Sequence, residues 1–162
     1  MRRPLRRLHR CVLAISAFAA IASAELIRVE QSYGGIECLS CVDAIAKGIK
    51  RLRGVESAEV DAKKNIVVIQ LADGNRVKIV AIRDAIKATG FTPGDAKIEA
   101  KGKLNDKQFV VDGTRQVFEV ETADASAGDP ATVTGEVPAS GPGEPLRLKI
   151  RTLRIIKAPG AP

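Results

Sequence analysis

Tryptophan is absent from this 162-residue sequence, while tyrosine, histidine and methionine occur once each beside four phenylalanines and three cysteines. So few rings argue against a stacking platform for bases, and hence against single-stranded nucleic acid as a ligand. Met1 and His9 both lie at the extreme N-terminus, so the rest of the chain offers no imidazole or thioether. A closed four-ligand zinc centre of cysteine and histidine is excluded there. Long apolar runs are also missing. The most apolar stretch, Cys11 to Ile21, falls short of the roughly 20 residues that a transmembrane helix needs.

What the N-terminus does carry is an address. Arg2, Arg3, Arg6, Arg7 and Arg10 precede the apolar run without an acidic residue, and Ala22-Ser23-Ala24 follows it in small-x-small form. Residues 1–24 thus read as a secretory signal peptide cleaved before Glu25, and the expected location is periplasmic or secreted. Five of the 26 Lys+Arg lie in this leader, which leaves 21 against 19 Asp+Glu, a net charge of +2. The basicity of the whole chain is mostly a targeting feature and makes no case for nucleic acid. Cys11 leaves with the leader. It stands at the front of the apolar run rather than its end, unlike a lipid-modified cysteine.

Two cysteines then remain, in the stretch Gly34-Gly35-Ile36-Glu37-Cys38-Leu39-Ser40-Cys41. Leu26 to Gln31 before it mostly alternates apolar and polar and predicts a strand. After it, Val42, Ile45, Ile49 and Leu52 fall three or four apart and predict a helix. Cys38 and Cys41 therefore sit where a glycine-bearing loop meets a helix start. Unpaired N–H groups and the positive end of the helix dipole favour thiolates there. A disulfide closing so small a loop would add little stability, so a purely structural bridge explains the pair poorly. From the residues alone three readings stay open: a soft-metal site, a thiol-disulfide oxidoreductase, or an interaction module whose cysteines are idle or oxidised.

Downstream, Arg53-Gly54 ends the first helix, and Gly48 within it suggests close packing. Val55–Val60 and Ile66–Leu71 predict strands around a turn at Asp61–Asn65. Val77–Thr89 returns to helical spacing until Gly90, and a strand follows from about Ala96 to Gly102. This strand-helix-strand-strand-helix-strand order predicts an α+β unit with two helices on one face of a four-stranded antiparallel sheet. Lys47, Lys50, Arg51 and Arg53 form a charged helix face, either solvated or used to dock an acidic partner.

Residues 26 to about 100 resemble the heavy-metal-associated domain, the ferredoxin-like module of copper chaperones, of copper-transporting P-type ATPases and of the periplasmic mercury-binding protein. Gly35, Cys38 and Cys41 match the Gly-Met-x-Cys-x-x-Cys signature of that family, and Gly54-Val55 and Gly90-Phe91-Thr92-Pro93 match two further motifs. Ile36 replaces the usual methionine, so the loop is expected to survive with different packing. The resemblance implies a βαββαβ fold and one Cu(I), or Hg(II), held between Cys38 and Cys41. It further implies transfer by ligand exchange to a membrane metal transporter or another periplasmic carrier, and no enzymatic activity. Two thiolates do suit a soft ion that accepts low coordination. Phe91 would shield the metal in the family's arrangement, although an aromatic at a helix end reads equally as a core plug. Tyr33 reads as strand-end packing.

The second half predicts a small all-β domain, an OB-like barrel or a sandwich. Its strands are expected at Lys97–Leu104, Phe109–Asp112, Val117–Glu121, Thr132–Val137 and Leu146–Ile156, with Gly102 and Gly135 where a barrel must bend. The expected division is 25–100 for the metal-associated domain, 101–157 for the β domain and 158–162 for a disordered tail. About 60 residues is marginal for an independent core, so the second unit should pack on the first or share its last strand. It holds no constellation for catalysis, and binding a partner protein or supporting the first domain is its expected role.

Overall fold

The computed structural model describes residues 25–35, 39–111, 113–121, 128 and 130–156, and for residues 39–42 the backbone alone. The expected leader and tail, Cys38, the side chain of Cys41 and most of the Ala123–Pro130 loop lie outside the described residues.

The first unit runs β1 (Leu26–Gly34), α1 (Leu39–Lys50), β2 (Val55–Asp61), β3 (Ile66–Leu71), α2 (Ile79–Lys87) and β4 (Thr92–Asn105). Its strands lie in the order β2-β3-β1-β4, antiparallel throughout, which is the ferredoxin-like arrangement expected. The buried face of the sheet carries Val29, Val67, Ile69 and Ile98, and the helices contribute Ile45, Ile49, Ile79, Ile82 and Ile86. α2 buries the stripe its spacing predicts, and α1 buries Ile45 and Ile49 of the stripe expected there.

Both helices are shorter than their periodicity suggests. Past Lys50 the chain tightens, with N–H groups of Arg51 and Leu52 reaching back three residues to Gly48 and Ile49, as helix ends commonly do. Before α2, the buried Asn75 accepts the Val77 N–H at 3.1 Å and so holds that residue in a turn. Gly90, at φ +87°, supplies the left-handed stop after α2. Gly48 faces the second helix, but a Cβ there would lie 3.5 Å from the Ala85 carbonyl. That is ordinary contact, so packing does not demand glycine at this position.

β4 does not stop at the sheet edge. Ala96–Ala100 pair with β1 on one side and, on the other, with β7 (Pro130–Val137), while Lys103–Asn105 pair with β5 (Gln108–Val111). With β6 (Gln116–Val120) and β8 (Arg147–Ile155), the order β4-β5-β6-β8-β7 closes back onto β4. The result is a five-stranded barrel rather than a sandwich, antiparallel except for the parallel β6–β8 contact. Leu104, Phe109, Val111, Phe118, Val120, Val133, Val137 and Leu148 fill it, in one apolar cluster continuous with the core under the helices. The last strand of the first unit is the first strand of the second.

The two bend glycines are sterically required. A Cβ on Gly102 would come 2.7 Å from Phe109 Cζ and also meet the Val110 carbonyl, and one on Gly135 would come 2.7 Å from Leu148 Cδ1. Gly135 also marks a register shift between β7 and β8. Gly102→Ala is expected to cost about 3 kcal/mol, because backbone rather than a flexible tip must yield. Urea denaturation would read this as a lower midpoint at unchanged slope.

The barrel also holds α2. That helix has no side-chain cap of its own at Lys78; its Ile79 N–H donates instead to Gln116 Oε1 of β6 at 2.9 Å. Arg83, buried in the same helix, donates to the Val137 carbonyl (3.1 Å), the Pro138 carbonyl (2.8 Å), Ser140 Oγ (2.9 Å) and, more weakly, Gln31 Oε1 of β1 (3.4 Å). Burial pulls this guanidinium below its ordinary pKa, and the nearby charge of Asp95 works against that shift. Gln31 is fully buried, and its Nε2 donates to the carbonyls of Gly94 (2.7 Å), Ser32 (3.0 Å) and Asp95 (3.2 Å). One polar network therefore ties β1, α2, β4 and the strand end of β7 together.

Candidate metal centre

Three segments gather at one end of the first unit: the end of β1 with Gly35, the β2–β3 turn and the α2–β4 turn. Tyr33 near the end of β1 makes the link. Its N–H donates to the Asn65 carbonyl of the β2–β3 turn at 3.0 Å, and it pairs across the sheet with Pro93 of β4. Asn65 takes a positive φ of +52°, which asparagine tolerates better than most residues.

Gly35 follows β1 at φ +146°, a conformation that favours glycine. Phe91 lies directly beneath it: a Cβ at Gly35 would fall 2.9 Å from Phe91 Cδ1. Only glycine lets the loop backbone rest on that ring. Phe91 in turn meets Tyr33 edge to face, with ring centroids 5.4 Å apart and planes at 79°. Both rings are 6 % exposed, so Phe91 is a plug under the loop and Tyr33 is the strand-end packing residue expected.

Of the two candidate ligands, the structure fixes position along the chain only. Cys38 immediately precedes α1, and Cys41 is the third residue of that helix, in its first turn. The two sulfurs are not among the described atoms. Along the chain they follow Gly35, which rests on Phe91, and reach into the first turn of a twelve-residue helix; the unpaired N–H groups and dipole of a helix N-terminus stabilise thiolates. Outside this stretch, and among the described residues, no cluster of three or more His, Cys, Asp or Glu could hold an ion.

The Tyr33 hydroxyl is a feature that the sequence did not suggest. It is buried and has no hydrogen-bond partner among the described residues. Burial, and secondarily the negative charge of Asp61, raises its pKa above the ordinary tyrosine value. The charged face of α1 and the turn after it is where the pattern put it, with Lys47, Lys50, Arg51 and Arg53 all exposed.

The heavy-metal-associated domain family matches residues 33–92, a span that opens on Tyr33 and closes just past Phe91. A copper chaperone CopZ of Staphylococcus haemolyticus is 39 % identical over 57 residues, covering 35 % of this chain and 82 % of that protein. Among solved structures, a CopZ metallochaperone is 26 % identical, with 41 % of this chain and 97 % of that one superposed at a TM-score of 0.38. A copper-binding domain of a P-type ATPase is 27 % identical, covering 46 % of this chain and 92 % of that one at a TM-score of 0.37.

Proposed function

Because this chain belongs to the heavy-metal-associated domain family, we propose that it binds one Cu(I) through the thiolates of Cys38 and Cys41 and passes it on by ligand exchange. What supports the reading is the family match over residues 33–92 together with the spacing of the two cysteines, which follow Gly35 in the chain where α1 begins. Copper is cargo here rather than a resident cofactor. Each thiol loses its proton to solvent as its Cu–S bond forms. A thiolate of the recipient then adds as a third ligand before one of the original bonds breaks, so the ion never becomes free. Copper stays Cu(I) throughout and no electron moves.

The remaining parts of the reading follow from this one. Hg(II) accepts two thiolates by the same chemistry, although the relatives named above point to copper. A leader ending at Ala24 would place the protein in the periplasm or outside the cell, with a membrane metal transporter or another periplasmic carrier as recipient. We divide the chain into a metal-associated domain at 25–100 and a β domain at 101–157 that share β4, and assign the barrel to the OB type. Its strand order, with first and fourth strands antiparallel and third and fifth parallel, supports that assignment. No enzymatic activity is expected.

Native mass spectrometry of the reduced protein with stoichiometric Cu(I) tests the reading. One ion per chain is the expected result. Failure to retain copper, combined with catalysis of insulin reduction, would make the cysteine pair that of a thiol-disulfide oxidoreductase; failure in both assays would leave an interaction module.

A further inference from the structure

β8 pairs with β7 from Lys149 to Ile155, but β6 reaches it only through Glu119–Arg147 and Val120–Leu148. Among the described residues, no backbone group pairs with the other edge of Lys149–Ile155. At roughly 3.3 Å per residue, that is a strand edge of about 23 Å left unpaired by the described residues.

The two faces of that strand differ. At the shift opposite Thr134 and Gly135, Arg151 is the extra residue of β8. Leu153 and Ile155 lie across from the buried Val133 and Ala131, on the core side, yet Leu153 is only half-buried and Ile155 is 48 % exposed. Lys149, Thr152 and Arg154 lie across from Glu136, Thr134 and Thr132 and point to the outer face. Arg147, Lys149, Arg151 and Arg154 give β8 four positive charges and no negative one. Arg151 is paired with Glu136 at 2.9 Å and Arg147 sits 4.0 Å from Glu119; among the described residues Lys149 and Arg154 have no ion-pair partner.

We propose that this edge receives an extended segment of a partner protein in which acidic and apolar residues alternate, added as a strand alongside β8. The edge offers N–H and C=O groups in alternation, so its occupant must supply both acceptors and donors at the spacing of a strand, as a polypeptide backbone does. A phosphate surface supplies acceptors alone, and β8 has no aromatic residue to stack a base. Acidic side chains on one face of the added strand meet Lys149 and Arg154, and apolar ones on the other extend the surface of Leu153 and Ile155. A second copy is disfavoured, because pairing two such edges sets bases against bases.

A short blocked peptide of alternating glutamate and valine, titrated into isotope-labelled protein, tests this. Saturable NMR shifts confined to Lys149–Ile155 and the facing residues of β7 are expected. Lys149→Glu/Arg154→Glu should weaken binding about tenfold; both side chains are exposed, so the fold is retained. The same peptide N-methylated at alternate residues keeps its charge but loses its donors along one edge, and it should also bind at least about tenfold more weakly. The proposal is overturned by equal affinity for the N-methylated peptide, by shifts that avoid β8, or by the same shifts with an oligonucleotide or anionic vesicles. Dimerisation of the protein alone through β8 would assign the edge to a second copy instead.

Discussion

Arg83→Met should lower stability by about 3 kcal/mol, with a single unfolding transition before and after the change. Methionine keeps the apolar stem of the arginine in place, so little packing is lost. The donors go, and their acceptors remain. The Val137 carbonyl and Gln31 Oε1 belong to fully buried residues, while the Pro138 carbonyl is half-buried. Each orphaned buried acceptor costs about 1–3 kcal/mol, whereas half-exposed Ser140 can turn its hydroxyl to water. Arg83→Lys should recover little of the loss, since one ammonium on a flexible stem cannot reach acceptors on both β1 and the end of β7. The measured loss will exceed the net worth of the network, because wild-type folding already bears the desolvation of the guanidinium. What the charge secures is a unique seat for residues 137–140 over α2. Urea midpoints followed by far-ultraviolet dichroism and by side-chain NMR signals from the barrel should move together, because β4 and one apolar cluster run through both parts. Two separated transitions, or a loss below about 1 kcal/mol, would mean that the two parts do not depend on each other through this residue.

That network depends on contacts that local sequence pattern does not encode. Periodicity located every strand and both helices of the first unit because one face of each element is buried and the other is wet. It also located the barrel strands, down to the alternation of Leu148 and Ile150. Arg83 carried a legible signal: it follows Ile79 by four and sits beside Ile82, on the stripe that the isoleucines define, where a charge has to be paired or bonded. Gln31 similarly occupies an inward position at the end of an alternating run. Their partners could not be read, since Val137 and Ser140 lie more than fifty residues away and local pattern contains no information about which loop returns to a helix. Closure of the barrel was hidden for the same reason. Gly102 and Gly135 signalled bending, but only the pairing of β4 with β7 decides between a barrel and a sandwich. At the candidate site the cysteine spacing is read directly from the chain, whereas the aromatic pedestal is only half legible: Phe91 belongs to a motif, but its contacts with Gly35 and Tyr33 depend on how the end of β1 meets the turn before β4.

Cys38→Ser and Cys41→Ser should each reduce Cu(I) affinity by more than the roughly 100-fold typical of losing an outer-sphere contact, and the double variant should not compete with a chelator at all. Serine supplies a hard oxygen that stays protonated near neutral pH, and a soft ion gains little from it. One remaining thiolate leaves Cu(I) to complete its coordination from solvent or from a second molecule. The two losses should therefore be non-additive, with either single change removing most of the affinity. Folding gives the control. Cys38 precedes α1, where serine is among the preferred residues, and Cys41 lies in the first turn, where serine is tolerated. The variants should keep the wild-type dichroism spectrum and lie within about 1 kcal/mol of its stability. If anaerobic competition finds Cu(I) bound as tightly without both sulfurs, the ion is held elsewhere and ligand exchange at the hinge of α1 is wrong. If single variants keep half of the binding free energy, the two cysteines act as separate sites rather than as one pair.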